Sequence, residues 1–160
     1  MLLFFNRVFN LIEKAMISTI KVSSIMGSGF RTEIQCSHPF VIDQPKASGG
    51  TDEGPNPLEV FLASLPGCIS ALARIIAMQR KIDLRGIEVD VEGDIDKGFL
   101  MGQTTEGRAG FTEIRTCVRI DANMTEEEKK SFLHEIDSRC PISDNMANKS
   151  VIEFKVCELK

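Results

Sequence analysis

Between Leu58 and Met78 almost every residue is apolar, with Ser64, Ser70 and Arg74 the main exceptions. A helix apolar on all sides has to be covered on all sides. This run therefore dictates what else the fold must supply: a sheet and further helices around it, or a second subunit. Its start is written locally. Asn56-Pro57-Leu58-Glu59 stands in N-cap, N1, N2, N3 order, with Asn56 as the cap, Pro57 where a missing N–H does no harm, and Glu59 suited to a capping box. Inside the run lie Pro66 and Gly67, the two poorest helix formers, followed at once by Cys68. Pro66 has no N–H for the carbonyl of Leu62 and its ring collides with that carbonyl, which predicts a kink or a restart, with Gly67 permitting a close approach. A restart would set Cys68 beside free N–H groups at the positive end of a new dipole, where a thiolate is favoured over a thiol. Cys68 also shares the stripe of Phe61, Leu65 and Leu72, and spacing alone favours an ordinary core cysteine.

The 160 residues suffice for one domain with a real core. Residues 1–15 read as an extension in which Phe5, Val8, Phe9 and Ile12 fall at helical spacing, the alternative being a true start at Met16. From Met16 to Lys160 the pattern alternates strands and helices. "ISTIKVSSI" (17–25) and "FRTEIQC" (30–36) are β-branched runs joined through "MGSG", and "PFVID" is a third strand. "QPKASGGTDEGPNP" is a loop long enough to be functional. Ile87, Val89 and Val91 alternate with Glu88, Asp90 and Glu92, and Ile114, Val118 and Ile120 repeat the pattern across a glycine-rich connection. Thr125 and Glu128 form a capping box opening a helix with the stripe Phe132, Leu133 and Ile136, which stops near Cys140. "SVIEFKVCEL" reads as a last strand. The order βββ-α-ββ-α-β describes an α+β domain with helices packed on an antiparallel sheet.

Composition excludes several functions. A net charge of −4 without basic runs argues against nucleic acid, and the first fifteen residues lack the basic leader and unbroken apolar stretch of a signal or membrane span. Five cysteines, an odd number, point to a reducing cytoplasm rather than a disulfide framework. His38 and His134 have no metal-ligand spacing to these cysteines, so no metal is expected. "GSGF" and "SGGTDEG" lack the lysine and hydroxyl of a phosphate loop and read as turns, as does "GDIDKG".

Cys36 reads as a small buried hydrophobe. Cys117 and Cys157 lie on outward strand faces, Cys117 between Arg115 and Arg119, a cationic setting that would lower its pKa. Cys140, in "SRCPIS", sits before a proline at a helix exit, a position that reads as exposed. Two of these segments carry a resemblance. "GPNPLEVFLASLPGCIS" resembles the reactive-cysteine segment of the OsmC/Ohr hydroperoxide reductases, and "SRCPIS" resembles that family's second-cysteine motif, in the same chain order.

The resemblance implies an OsmC-like homodimer with its long helix buried between subunits, and a cofactor-free peroxidase in which Cys68 attacks the peroxide, Cys140 resolves it and an external dithiol reduces the pair. It makes hydroperoxides the substrate, organic ones above all given the apolar surroundings of Cys68. It also implies an arginine from the N-terminal hairpin, for which Arg31 is the candidate, and a glutamate ten residues before the first cysteine. Leu58 occupies that position, and Glu59 stands nine before, rotated about 100° around the helix. A ligand-binding protein and a thiol redox sensor are the alternatives on the same frame.

Overall fold

The computed structural model describes residues 17–158; the expected N-terminal helix lies outside them. The chain forms two compact units, the first ending at Pro57 and the second beginning at Leu58.

In the first unit β1 (Ser23–Met26), β2 (Thr32–Gln35) and β3 (Phe40–Ile42) form an antiparallel sheet in that order, with Ile34 opposite both Ser24 and Phe40. The first strand is shorter than its β-branched run suggests. Residues 17–22 carry no regular structure and their side chains are exposed, so alternation alone does not make a strand where no ladder partner takes it up. The loop after β3 includes a 3-10 turn (Lys46–Ser48) and folds back tightly. A Cβ added at Gly50 would lie 1.9 Å from the Gln44 carbonyl oxygen, and one at Gly54 2.2 Å from that of Val41, so backbone contact explains both glycines.

The second unit is built on α1 (Pro57–Arg80), the antiparallel pair β4 (Leu84–Ile95) and β5 (Phe111–Ala122), and the helices α2 (Lys97–Leu100), α3 (Glu126–Ser138) and α4 (Pro141–Ala147). Ile87 pairs with Ile120 and Val89 with Val118, and Ile87, Val89 and Ile120 pack against the core, as their alternation predicts. The outward carboxylates meet arginines across the ladder. Arg115 pairs with Glu92 and Asp94, and Arg119 with Asp90. The cations expected to act on exposed Cys117 are thus engaged by carboxylates. The capping box of Thr125 and Glu128 is present at the start of α3, where Phe132 and Ile136 are buried.

Two expectations, the restart of the helix at Gly67 and the last strand, are overturned here. The helix does not restart at Gly67: α1 is continuous with Pro66 inside it, because Leu65 and Ile69 on either side are buried in one core and hold both halves in one helix. Nor does Gly67 serve a close approach within the chain, since nothing lies within 4 Å of a Cβ built there. The expected last strand is absent among the described residues. Residues 151–158 have no regular structure, and Val151, Phe154 and Val156 are almost fully exposed. Its own chain covers α1 along one stripe, through Leu65, Ile69, Ala73, Ile76 and Ala77, whereas Phe61, Ile75 and Met78 are exposed. Arg74, which needs an acceptor in so apolar a helix, donates to the Leu84 carbonyl of its own chain at 2.7 Å.

Candidate active site

Cys68 lies about three turns into α1. Cys140 ends the short link after α3 and serves as the N-cap of α4, a helix that the proline at its first position allows and that sequence reading missed. The two sulfurs, separated by 72 positions in the chain, lie 3.0 Å apart with the Cys140 thiol donating to Cys68. Both are free thiols. Cys140 is 2% exposed, contrary to its expected exposure, because the turn into α4 folds its side chain against Phe132 and Ile136 of the core.

The first turn of α4 serves both sulfurs. The Ser143 N–H donates to Cys140 Sγ at 3.4 Å, and the Ile142 N–H donates to Cys68. The second of these bonds favours a Cys68 thiolate, but it is outweighed. Burial pushes the Cys68 thiol above its ordinary value, and the second sulfur at Cys140, beside which a Cys68 thiolate would have to sit, pushes in the same direction. The thiolate-favouring dipole expected from a restarted α1 is therefore corrected twice: the helix has no new N-terminus at Cys68, and the resting sulfur is biased toward the thiol.

A groove of about 570 Å³ lies beside the segments that carry this pair, with neither sulfur in its lining. Leu65, one turn before Cys68, and Ser143 and Met146 of α4 form part of its wall, while Phe61 and Phe111 stack at 5.8 Å to form another part. Sequence reading gave no hint of it, since its walls come from three separate segments.

Arg31 has its own setting in the first unit. Its Nε donates to Glu53 and its Nη1 to Glu33, each at 2.7 Å. Behind Glu53 lies Asp43, 1% exposed, which accepts from the Thr51 hydroxyl at 2.6 Å and from the N–H groups of Gln44, Thr51 and Glu53. These bonds, the Thr51 hydroxyl first, hold the Asp43 carboxyl down at about 2 despite its burial. This cluster was not singled out from sequence, although the glycines of "SGGTDEG" signal the tight loop that forms it. Glu59 is exposed in the first turn of α1.

Residues 50–155 match the family of OsmC-like proteins. A hydroperoxide reductase of Mycoplasma genitalium is 30% identical over 104 residues, covering 65% of this chain and 69% of that protein. The chain belongs to the OsmC family. A hydroperoxide reductase of Mycoplasma pneumoniae is 26% identical, covering 66% of this chain and 72% of its own length. Among solved structures, an OsmC-like protein from Mycoplasma pneumoniae superposes with a TM-score of 0.72 at 21% identity, over 84% of this chain and 91% of that one. An organic hydroperoxide resistance protein from Legionella pneumophila gives 0.61 at 20% identity, over 81% and 90%. The α+β fold is that of the OsmC family.

Proposed function

We propose that this chain is a two-cysteine thiol peroxidase of a reducing cytoplasm, acting on organic hydroperoxides, with hydrogen peroxide as a lesser substrate, in defence against oxidative stress. The observation that carries this reading is the 3.0 Å separation of two free sulfurs beside an apolar groove. The peroxide-related names of its relatives support the same chemistry. The Cys68 thiolate attacks one peroxide oxygen, the S–O bond forms as the O–O bond breaks, and the departing alkoxide takes a proton and leaves as alcohol. The Cys140 thiol then attacks the sulfenic sulfur and expels water, forming a disulfide that needs only about 1 Å of further approach. An external dithiol restores both thiols by exchange and is itself oxidised to a disulfide.

In this reading the Ile142 N–H and the Arg31 guanidinium stabilise the Cys68 thiolate, and Glu59, off the family's glutamate position, caps α1. The second reading, a sensor oxidised once per chain, is favoured by the raised Cys68 pKa. Peroxide consumption measured with several dithiols beside thiol counting separates the two. Many turnovers per chain are expected; oxidation that stops at one equivalent under every reductant would establish the sensor.

A homodimer belongs to the same proposal. The open face of α1 carries Ala63, Gly67 and Ala71 at four-residue spacing, flanked by exposed Ile75 and Met78. Covering each large side chain would contribute about 1.5–3 kcal/mol. Gly67→Leu has room within the chain but would hold a second helix off. Sedimentation should show a dimer for the parent chain and monomer for the variant, and a variant that stays fully dimeric would put the interface elsewhere.

A further inference from the structure

The groove beside the thiols carries a charge that nothing among the described residues uses. Two charged side chains line it, Glu113 and Arg108. Glu113 is engaged by Arg115 at 3.0 Å, and the hydroxyls of Thr112 and Ser143 in the same wall donate to the Asp94 carbonyl and the Asp137 carboxylate. Arg108 has no such partner among the described residues, where every other arginine donates to a carboxylate, a carbonyl or an amide. Its guanidinium folds back over Gly110 on the strand side of the groove. Arg108 precedes Phe111 by three residues, which sets it toward the end marked by the Phe61–Phe111 stack. The other end, at Leu65 and Ser143, adjoins the sulfurs. Along β5 the five steps from Phe111 to Thr116, both in the wall, span about 17 Å at the usual strand rise.

We propose that Arg108 is the specificity-determining residue of this groove, the receptor for the carboxylate head of an amphiphilic hydroperoxide whose apolar chain lies between Phe61, Phe111 and Met146 and whose peroxide reaches Cys68. The inference rests on the peroxidase reading for the last of these contacts. A guanidinium is suited to the role because its fork meets a carboxylate with two parallel hydrogen bonds, and an apolar wall weakens the competition from water. Arg108 is supplied by the connection between β4 and β5, so head and peroxide are read by separate elements.

The test compares linoleic acid hydroperoxide with its methyl ester, both below their critical micelle concentrations. The parent chain should show kcat/KM at least ~10-fold higher for the acid, expressed mainly in KM, the size expected of a charge-assisted pair. In Arg108→Ala the acid-to-ester ratio should fall to about one, and in Arg108→Lys part of it should return. Equal handling of acid and ester by the parent chain, or a preference that survives in Arg108→Ala, overturns the proposal. If the parent chain turns over neither, the peroxidase reading is what fails, and calorimetry with dodecanoate then decides on Arg108: binding lost in Arg108→Ala supports the receptor, whereas no binding, or equal binding by both chains, overturns it.

Discussion

The thiol pair and the Asp43 loop are both buried titratable clusters, and they titrate in opposite directions. Asp43 is met by four hydrogen bonds that reward its charge, and its carboxyl stays ionised down to about 2. Cys68, half-buried, packs against the apolar core with one backbone donor and a neighbouring thiol, and it is biased toward the neutral form. Burial raises both groups; only the supply of donors differs. The carboxylate cluster is a structural fastening for the loop that presents Glu53 to Arg31. The thiol pair holds its reactive group in reserve, with a sulfur partner within reach.

The contrast is broken most completely by removing one sulfur. Cys68→Ser should abolish peroxide-dependent thiol oxidation, and undiminished peroxide consumption by that variant would remove Cys68 from the mechanism. Cys140→Ser should react once and then accumulate sulfenic and sulfinic acid at Cys68, read by mass spectrometry. A wild-type disulfide from Cys68 to Cys36 or Cys117 would replace Cys140 as the partner.

The pH dependences sharpen the same contrast. The folded Asp43 pKa is depressed, so its stabilisation is complete above the unfolded value of about 4 and is lost as pH falls through about 2. Asp43→Asn should lower Tm at neutral pH and flatten the acid limb of the stability curve; an acid limb identical to the parent's would mean that the loop does not depend on that charge. The folded Cys68 pKa is raised, so its contribution is present below the ordinary thiol value and is lost as pH rises through the folded one. Alkylation of Cys68 should accordingly follow a pKa above that of free cysteine, and Cys140→Ala, which removes the neighbouring sulfur, should move the profile to lower pH. A profile that does not move would leave desolvation as the whole cause.

The smallest effect is expected at Glu59. If it only caps α1, Glu59→Gln changes stability by about 1 kcal/mol or less and leaves the rate nearly intact. A large rate loss would restore a catalytic carboxylate at this position.

Local chemistry was legible wherever the cause was local. The capping box at Thr125 and Glu128 needs only residues three apart, and the alternation of Ile87, Val89 and Val91 needs only the pleat. Pro66 misled because its local penalty is real, about 3 kcal/mol, yet the burial of Leu65 and Ile69 in a common core outweighs it. Residues 151–158 misled for the converse reason, having a strand's alternation without a ladder partner.

The sequence by itself determined the α+β class, the long apolar helix and the family, because each rests on periodicity or on motifs read within a short window. It also marked Cys68 and Cys140, through the segments that resemble the family's two cysteine motifs. Only the tertiary structure decided that their sulfurs meet at 3.0 Å, that Cys140 is buried, that Cys68 rests as a thiol and that Arg108 borders the groove beside them. Contact across 72 positions and desolvation by surrounding atoms are properties of packing, and packing is settled by the whole core at once rather than by any one stretch of chain.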